Sequence, residues 1–314
     1  MNFNSIIGHD FIKKQIENAI NNQRFLHANI ILGEDGIGKS VIAKEIGLKI
    51  LNKQTYKKYI DLIEYKGSKK KIGIDEVRSL IEKVYKKPFQ GNNKVIIIYN
   101  AHNMTQEAQN AFLKTIEEPP LGVYIILLCE NLNNLLETIV SRCEIYRLHK
   151  LNKNEIRSFI EVNYPELIEK KHNLDNLIAF SDGIPGRIDK ILKDEDFNIL
   201  RNNIMDILLE LNNNDKEKVL SFGNLIIEKI KFWEDIMEIF LYYIRDVLVY
   251  KETGSNEFII NLDKFINIKH LAEVFSYNKL NNIVNIIKDT NIKINKNVNT
   301  KLLIDSMLIN MQEV

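Results

Sequence analysis

Residues 33–40 read Gly-Glu-Asp-Gly-Ile-Gly-Lys-Ser, which satisfies G-x-x-x-x-G-K-[ST] at every fixed position. That octapeptide demands a context. Its backbone N–H groups and the helix that follows must wrap around anionic oxygens, so an apolar strand has to enter Gly33 and a helix has to leave Ser40. Both are present: Asn29-Ile30-Ile31-Leu32 precedes the glycines, and residues 41–51 carry Ile42, Ile46 and Ile50 at helical spacing. Strand, glycine loop and helix in that order predict an α/β domain. Gly33, Gly36, Gly38, Lys39 and Ser40 are the candidate nucleotide-binding residues, with Lys39 directed to the β/γ-phosphates and Ser40 to Mg²⁺.

Hydrolysis asks for more than a cradle. A carboxylate at the end of a second strand normally holds the Mg²⁺ shell, and a neighbouring acid or Gln positions the attacking water. The candidate strand is Val95-Ile96-Ile97-Ile98, and it runs into Tyr99-Asn100, neither of which is an anion near neutral pH. Glu107 falls in the first turn of the next helix, where the macrodipole already favours an acid. Glu117 and Glu118 fall at that helix's far end, expected to be remote from the loop. Little intrinsic turnover is expected.

Elsewhere the pattern alternates. Residues 9–22, 73–87 and 106–118 have helical stripes, the last capped by Thr105 and stopped by Pro119-Pro120. Residues 59–65, 94–99, 123–128 and 145–148 read as strands. Strands alternating with helices predict a parallel sheet covered on both faces. From Leu151 the strands stop. Residues 154–164, 174–180 and 185–192 predict short helices, and the later ones lengthen, with Trp233, Ile236, Met237, Phe240, Leu241, Ile244, Val247 and Leu248 at three- and four-residue steps. That divides the chain into an α/β domain over 1–148, a small three-helix domain over 149–200 and an all-α domain over 201–314.

Composition narrows the function. With 43 Lys+Arg against 42 Asp+Glu, the formal net charge is +1, too even for a protein that coats DNA. The 2 cysteines, Cys129 and Cys143, suit neither a disulfide framework nor a four-ligand zinc site, which points to a reducing, cytoplasmic setting. No secretion signal is apparent, and the apolar runs are too short for a bilayer, so no membrane partner is expected.

A second set of motifs is more specific. Asn110-Ala-Phe-Leu-Lys-Thr-Ile-Glu-Glu-Pro-Pro120, followed by Thr138-Ile-Val-Ser-Arg-Cys143, resembles the clamp-loader ATPases of the AAA+ class. Ile7-Gly8-His9, His27-Ala28 and Ile126-Leu-Leu-Cys-Glu-Asn131 belong to the same resemblance. Within the class the chain is most similar to the delta-prime subunits of bacterial DNA polymerase III. The resemblance is strong over residues 1–148, weaker over 149–200, and rests on helical pattern beyond.

The resemblance implies an AAA+ P-loop domain, a helical lid and a C-terminal collar for oligomerisation. It implies that Arg142 reaches in trans into a neighbouring subunit's ATP site, as an arginine finger. The implied partners are motor subunits and a clamp-opening subunit in a hetero-pentamer, the sliding clamp, and primed DNA without sequence specificity. ATP or ADP with Mg²⁺ is the implied ligand. The chain also departs from the family. Motor subunits carry Asp-Glu where Tyr99-Asn100 stand. The four-cysteine zinc module is absent between Leu51 and Tyr59, so no structural zinc is expected. Glu130 replaces a small polar residue at the fourth strand's end. The lid arginine expected after Gly183 is displaced to Arg187, read here as a surface charge.

Basic clusters at Lys69-Lys70-Lys71 and Lys86-Lys87 read first as solvated loops, and Arg78 is a weak candidate for a phosphate contact with DNA. The apolar stripe from Trp233 to Leu248 reads mostly as core, with a part left for another subunit. Three rival readings stay open from the residues: a self-sufficient motor ATPase, a P-loop kinase, and an adaptor that binds no nucleotide.

Overall fold

The computed structural model describes residues 3–67, 71–167, 171–213, 215–294 and 298–314. Its backbone forms two compact units, Met1–Pro165 with Gly183–Gly186, and Glu166–Asp182 with Arg187–Val314.

The first unit is built on the apolar runs. β1 (Ala28–Leu32), β2 (Leu62–Tyr65), β3 (Lys94–Ile98), β4 (Val123–Cys129) and β5 (Glu144–Arg147) form one parallel sheet in the order β2-β3-β4-β1-β5. β1 sits between β4 and β5, with Ala28 opposite Ile125, Leu32 opposite Cys129 and Asn29 opposite Glu144. All five residues of both β1 and β3 are buried, because a parallel sheet is covered on both faces and its central strands have no polar side.

Alternation sorts those residues into two cores. Ile30, Ile96, Ile98, Ile125 and Leu127 pack with Val77 and Leu80 of α3 (Ile74–Tyr85) and with Ala108, Phe112 and Ile116 of α4 (Gln106–Glu117). Ile31, Val95, Ile97, Ile126 and Leu128 pack with Ile16 of α1 (Asp10–Asn21) and with Ile42 and Ile46 of α2 (Lys39–Ile50). α4 begins where its sequence says it should, with the Thr105 hydroxyl accepting from Ala108 N at 3.3 Å.

One strand is shorter than its apolar pattern. The run over 59–65 becomes a strand only from Leu62. Leu62 N turns back to Tyr59 O at 3.3 Å, the Asp61 carboxylate accepts from Phe89 N at 2.7 Å and Gln90 N at 2.6 Å, and the pairing with β3 starts only at the Asp61 carbonyl, which accepts from Val95 N at 2.8 Å.

α5 (Glu137–Val140) and α6 (Lys153–Asn163) complete this unit. α7 (Lys171–Ser181) lies in the second unit, and α8 (Pro185–Lys193) begins in the first and continues in the second. The second unit has no strand among its described residues. Its core is gathered around the 21-residue α11 (Trp233–Thr253) by α9 (Glu195–Glu210), α10 (Lys216–Glu228), α12 (Phe265–Val274), α13 (Tyr277–Ile294) and α14 (Thr300–Glu313). Trp233, Ile236, Met237, Phe240, Ile244 and Val247 are buried, whereas Leu241 is exposed. A buried polar post holds the chain after α11. Asp246 accepts from Ile260 N at 3.0 Å and from Asn261 N and Nδ2, each at 2.8 Å. Arg201 donates to Asn261 at 3.0 Å and Asp263 at 2.8 Å.

Candidate functional site

β1 delivers the chain to the carboxyl edge of the sheet, where Gly33 N donates to Cys129 O of β4 at 3.1 Å. The loop then uses glycine where the backbone requires it: Gly36 has φ 78° and Gly38 φ 111°. Ile37 between them is buried in the core and anchors the loop. His9 Nε2 reaches Ile37 O at 3.1 Å, and burial lowers the His9 pKa, keeping the ring neutral. Gly36 O accepts from Gly186 N at 3.0 Å, so the loop crest is also braced from the segment that opens α8. A Cβ on Gly186 would lie 2.6 Å from Gly36 Cα, which only glycine tolerates.

Inside the loop there is room. A Cβ on Gly38 would meet nothing within 4 Å. Gly38 caps α2 without a side chain, so no side chain competes for the first amides of that 12-residue helix. Lys39 is buried and donates to Gly33 O at 2.7 Å and Glu34 O at 2.8 Å. Burial lowers its pKa, opposed by Asp35 and Glu130. Ser40 is half-buried at the next position. This donor set fits a polyphosphate: uncapped amides, one cation and one hydroxyl at an open cradle. When bound, nucleotide with Mg²⁺ would supply the phosphate charge that Lys39 and the amides hold.

The acid positions face elsewhere. Tyr99 N donates to Tyr65 O at 2.9 Å, and its hydroxyl donates to Glu64 Oε2 at 2.6 Å. Tyr56 donates to the other Glu64 oxygen, Lys44 Nζ stands 3.6 Å from Glu64, and Lys66 Nζ lies 4.8 Å over the Tyr99 ring. Burial acts to raise the Glu64 pKa, but the two tyrosine hydroxyls and both lysines carry it below its usual value. Burial and the Glu64 bond raise the Tyr99 hydroxyl. Tyr99 is thus committed to β2, the strand farthest from β1 on that side of the sheet. Asn100 is exposed with φ 50°.

Arg142 lies at the opposite edge. It follows α5 and precedes β5, so it stands at the amino ends of the strands, with His27, Ile116 and Glu117 lining one cavity of about 370 Å³. Its Nε is 2.7 Å from Glu117 Oε1, and Nη1 donates to Thr138 O at 2.9 Å. The side chain is 41% exposed. The approach to α5 is held from within: buried Gln109 donates to Met104 O at 3.0 Å and Asn134 O at 2.8 Å, and accepts from Leu136 N at 2.7 Å. Cys143 is half-buried, and burial pushes its thiol up to about 12, out of range for a nucleophile at neutral pH.

Arg187 corrects the sequence reading. It is not a surface charge: its side chain is 13% exposed, 3.3 Å from Asp182, 3.4 Å from Glu238, hydrogen-bonded to Tyr242 and stacked on that ring at 4.7 Å. Glu117 lies at the amino edge, away from the loop, and pairs with Arg142. Arg78 is exposed and 3.6 Å from Asp75; Lys86 and Lys87 are exposed, while Lys69 and Lys70 lie outside the described residues. Sequence reasoning gave His102 no role. Its Nδ1 accepts from Glu130 N at 3.4 Å, at the carboxyl edge between β3 and β4. No group of three or more His, Cys, Asp or Glu able to hold a metal, and no helix long and apolar enough to cross a membrane, occurs among the described residues.

Comparison with known proteins agrees along most of the chain. A family profile described as DNA polymerase III, delta subunit, matches residues 8–152, and one described as DNA polymerase III, delta subunit, C terminal, matches residues 195–313. Among relatives, DNA polymerase III subunit gamma of Buchnera aphidicola subsp. Acyrthosiphon pisum is 29% identical over 175 residues, covering 51% of this chain and 48% of that protein. Subunit delta' of Buchnera aphidicola subsp. Schizaphis graminum is 34% identical over 133 residues, covering 42% of this chain and 38% of that one. The chain thus spans about half the length of these relatives or less. A third, subunit gamma of Buchnera aphidicola subsp. Baizongia pistaciae, is 26% identical over 315 residues, covering 88% and 85%. The crystal structure of a gamma subunit-related protein of DNA polymerase III from Thermotoga maritima has the same fold, with TM-score 0.50, 21% identity and coverage of 95% and 99%.

Proposed function

This chain belongs to the DNA polymerase III clamp-loader family of AAA+ proteins, and from that premise we propose that it acts as a delta-prime-type subunit, lending Arg142 to a neighbour's ATP site while turning over little nucleotide itself. One observation carries the reading: Arg142 and the phosphate loop occupy opposite edges of the same sheet. β1 has 5 residues, so about 16 Å of strand separates the two. Arg142 is too far away to touch a nucleotide on its own loop, so a nucleotide phosphate met by its guanidinium would belong to another chain. A permanently charged fork suits charge that develops during γ-phosphoryl transfer.

The partners proposed are those of a clamp loader. Motor subunits and a clamp-opening subunit would complete a hetero-pentamer in the cytoplasm, loading the sliding clamp on primed DNA without sequence readout. Motor subunits would bind ATP to permit clamp opening, and DNA contact would trigger hydrolysis. Tyr99, bonded to Glu64, supports the division of labour, because nothing anionic closes β3. A second reading, a motor in its own right, draws on the intact loop and the gamma-named relatives.

The test is a mixture of this chain with cognate motor subunits, clamp and primed DNA. Arg142→Ala should cut DNA-stimulated hydrolysis by about a thousandfold at the affected site, with assembly intact. Unchanged rates would remove the trans role. Rapid turnover by the isolated chain, abolished by Lys39→Ala, would establish the motor reading instead.

A further inference from the structure

The sheet order moves a carboxylate to a place the strand pattern did not predict. β4, not β3, is the immediate neighbour of β1 on the acid-strand side. Leu32 pairs with Cys129, and Gly33 N bonds Cys129 O at 3.1 Å, so the residue after Cys129 emerges beside the first residue of the phosphate loop. That residue is Glu130. Its backbone N–H is fixed on His102 Nδ1 at 3.4 Å, and its side chain is exposed at the carboxyl edge.

We infer that Glu130 replaces the missing acid of Tyr99-Asn100, acting from the adjacent strand as a ligand, direct or through water, of a divalent cation bound with nucleotide at Ser40. The inference rests on the nucleotide-binding reading of the loop. Three observations support it. First, the strand nearest the loop ends in a carboxylate, whereas the acid-strand positions are a tyrosine turned to β2 and an exposed asparagine. Second, Glu130 leaves β4 at the edge where Lys39 and Ser40 open α2, because Leu32 is paired with Cys129 and Gly33 N donates to Cys129 O at 3.1 Å. Third, Mg²⁺ with a nucleotide usually takes one or two carboxylates and keeps several waters, so one acid and one hydroxyl suffice without a protein-only cage.

The rival physics is repulsion. A carboxylate near Lys39 could as well compete with the triphosphate, and the two roles predict opposite signs. Isothermal titration of the full chain with ATP, in Mg²⁺ and in EDTA, separates them, with Mn²⁺ in place of Mg²⁺ for a paramagnetic readout of the bound metal. Mg²⁺ should tighten ATP binding to the wild type by about tenfold. Glu130→Gln should bind ATP equally well with and without metal, at no less than the wild-type affinity in EDTA, and should lose the ATP-dependent Mn²⁺ signal. A Glu130→Gln chain that keeps the metal-dependent gain, or binds Mg²⁺·ATP more tightly than the wild type, overturns the inference and leaves the loop as a nucleotide site. No ATP binding by the wild type in either condition removes the nucleotide reading, and the inference falls with it.

Discussion

The two edges of the parallel sheet are built to different standards. At the carboxyl edge the phosphate loop is held on every side: Gly33 by β4, Ile37 by the core and His9, Gly36 by Gly186, and Lys39 by two loop carbonyls. At the amino edge Arg142 has a surface ion pair, one carbonyl and a long bond to the neighbouring Ser141 hydroxyl, and 41% of its side chain is open to solvent. Burial and many partners fix a group for use within its own chain. A solvent-exposed cation on a rigid base is what a chain offers to another. Rigidity comes from beneath, where buried Gln109 braces the approach to α5, so the edge is firm while its arginine is free to re-pair.

That contrast can be broken from the larger effects to the smaller, with Arg142→Ala in the assembled complex as the largest. On the carboxyl side, Lys39→Ala should weaken binding of ATP by about 3 kcal/mol, roughly a hundredfold, because a buried charge-assisted contact is lost. Titration calorimetry on the isolated chain reads it. The same substitution should leave the Arg142 readout in the mixed complex nearly unchanged if the two edges work independently. A comparable loss of hydrolysis in the mixture would show that nucleotide on this loop is needed to hold Arg142 in place.

Gly186→Ala tests the brace on the loop crest. The added methyl meets backbone at 2.6 Å, which a side-chain rotamer cannot relieve. Either Gly36 or the opening of α8 must shift, at a cost of about 1–3 kcal/mol. Thermal unfolding should show the loss, and backbone amide exchange should rise at residues 36–38. A variant with wild-type stability would mean that the Gly36–Gly186 contact forms no part of the loop's support.

Much of this arrangement could be read before the structure, and the limits were physical. The glycine loop and the strands β1, β3 and β4 were legible because short apolar runs and turn glycines are local signals. The start of β2 was not, because the Asp61 carboxylate takes its partners from Phe89 and Gln90, 28 and 29 residues away. Arg187 misled for the same reason: Glu238 and Tyr242 lie 51 and 55 residues further on. Tyr99-Asn100 could be read as lacking an acid, but not that Tyr99 turns to Glu64, 35 residues back. Glu130 is legible in the sequence as a departure from the family. Its position beside Gly33 required the strand order.

Tyr99→Phe removes one donor to Glu64 and leaves Tyr56 and Lys44 in place. About 1 kcal/mol of stability should go, since a half-buried carboxylate keeps its other partners. Glu64 also gives the loss a pH signature. Its folded pKa lies below the unfolded value, so its stabilising contribution is present above the unfolded pKa and fades as pH falls through the folded one. The Tyr99→Phe deficit should therefore shrink on acidification below the ordinary glutamate value of 4.5. Chemical denaturation at neutral and acidic pH measures both, and a deficit that grew in acid would show that Tyr99 acts on something other than the Glu64 anion.

The smallest effect belongs to the amino edge. Glu117→Gln removes the anion 2.7 Å from Arg142, but both side chains are about two-fifths exposed. Water screens such a pair, and its side-chain ordering offsets most of the attraction, so the stability change should be below about 1 kcal/mol. The consequence in the mixed complex has the opposite sign: with its own carboxylate gone, Arg142 has less to give up on meeting a neighbour's phosphate, and DNA-stimulated hydrolysis should hold or rise slightly. A large stability loss from Glu117→Gln, with hydrolysis falling in step, would mean that the arginine is anchored for its own fold, and the difference between the two edges would disappear.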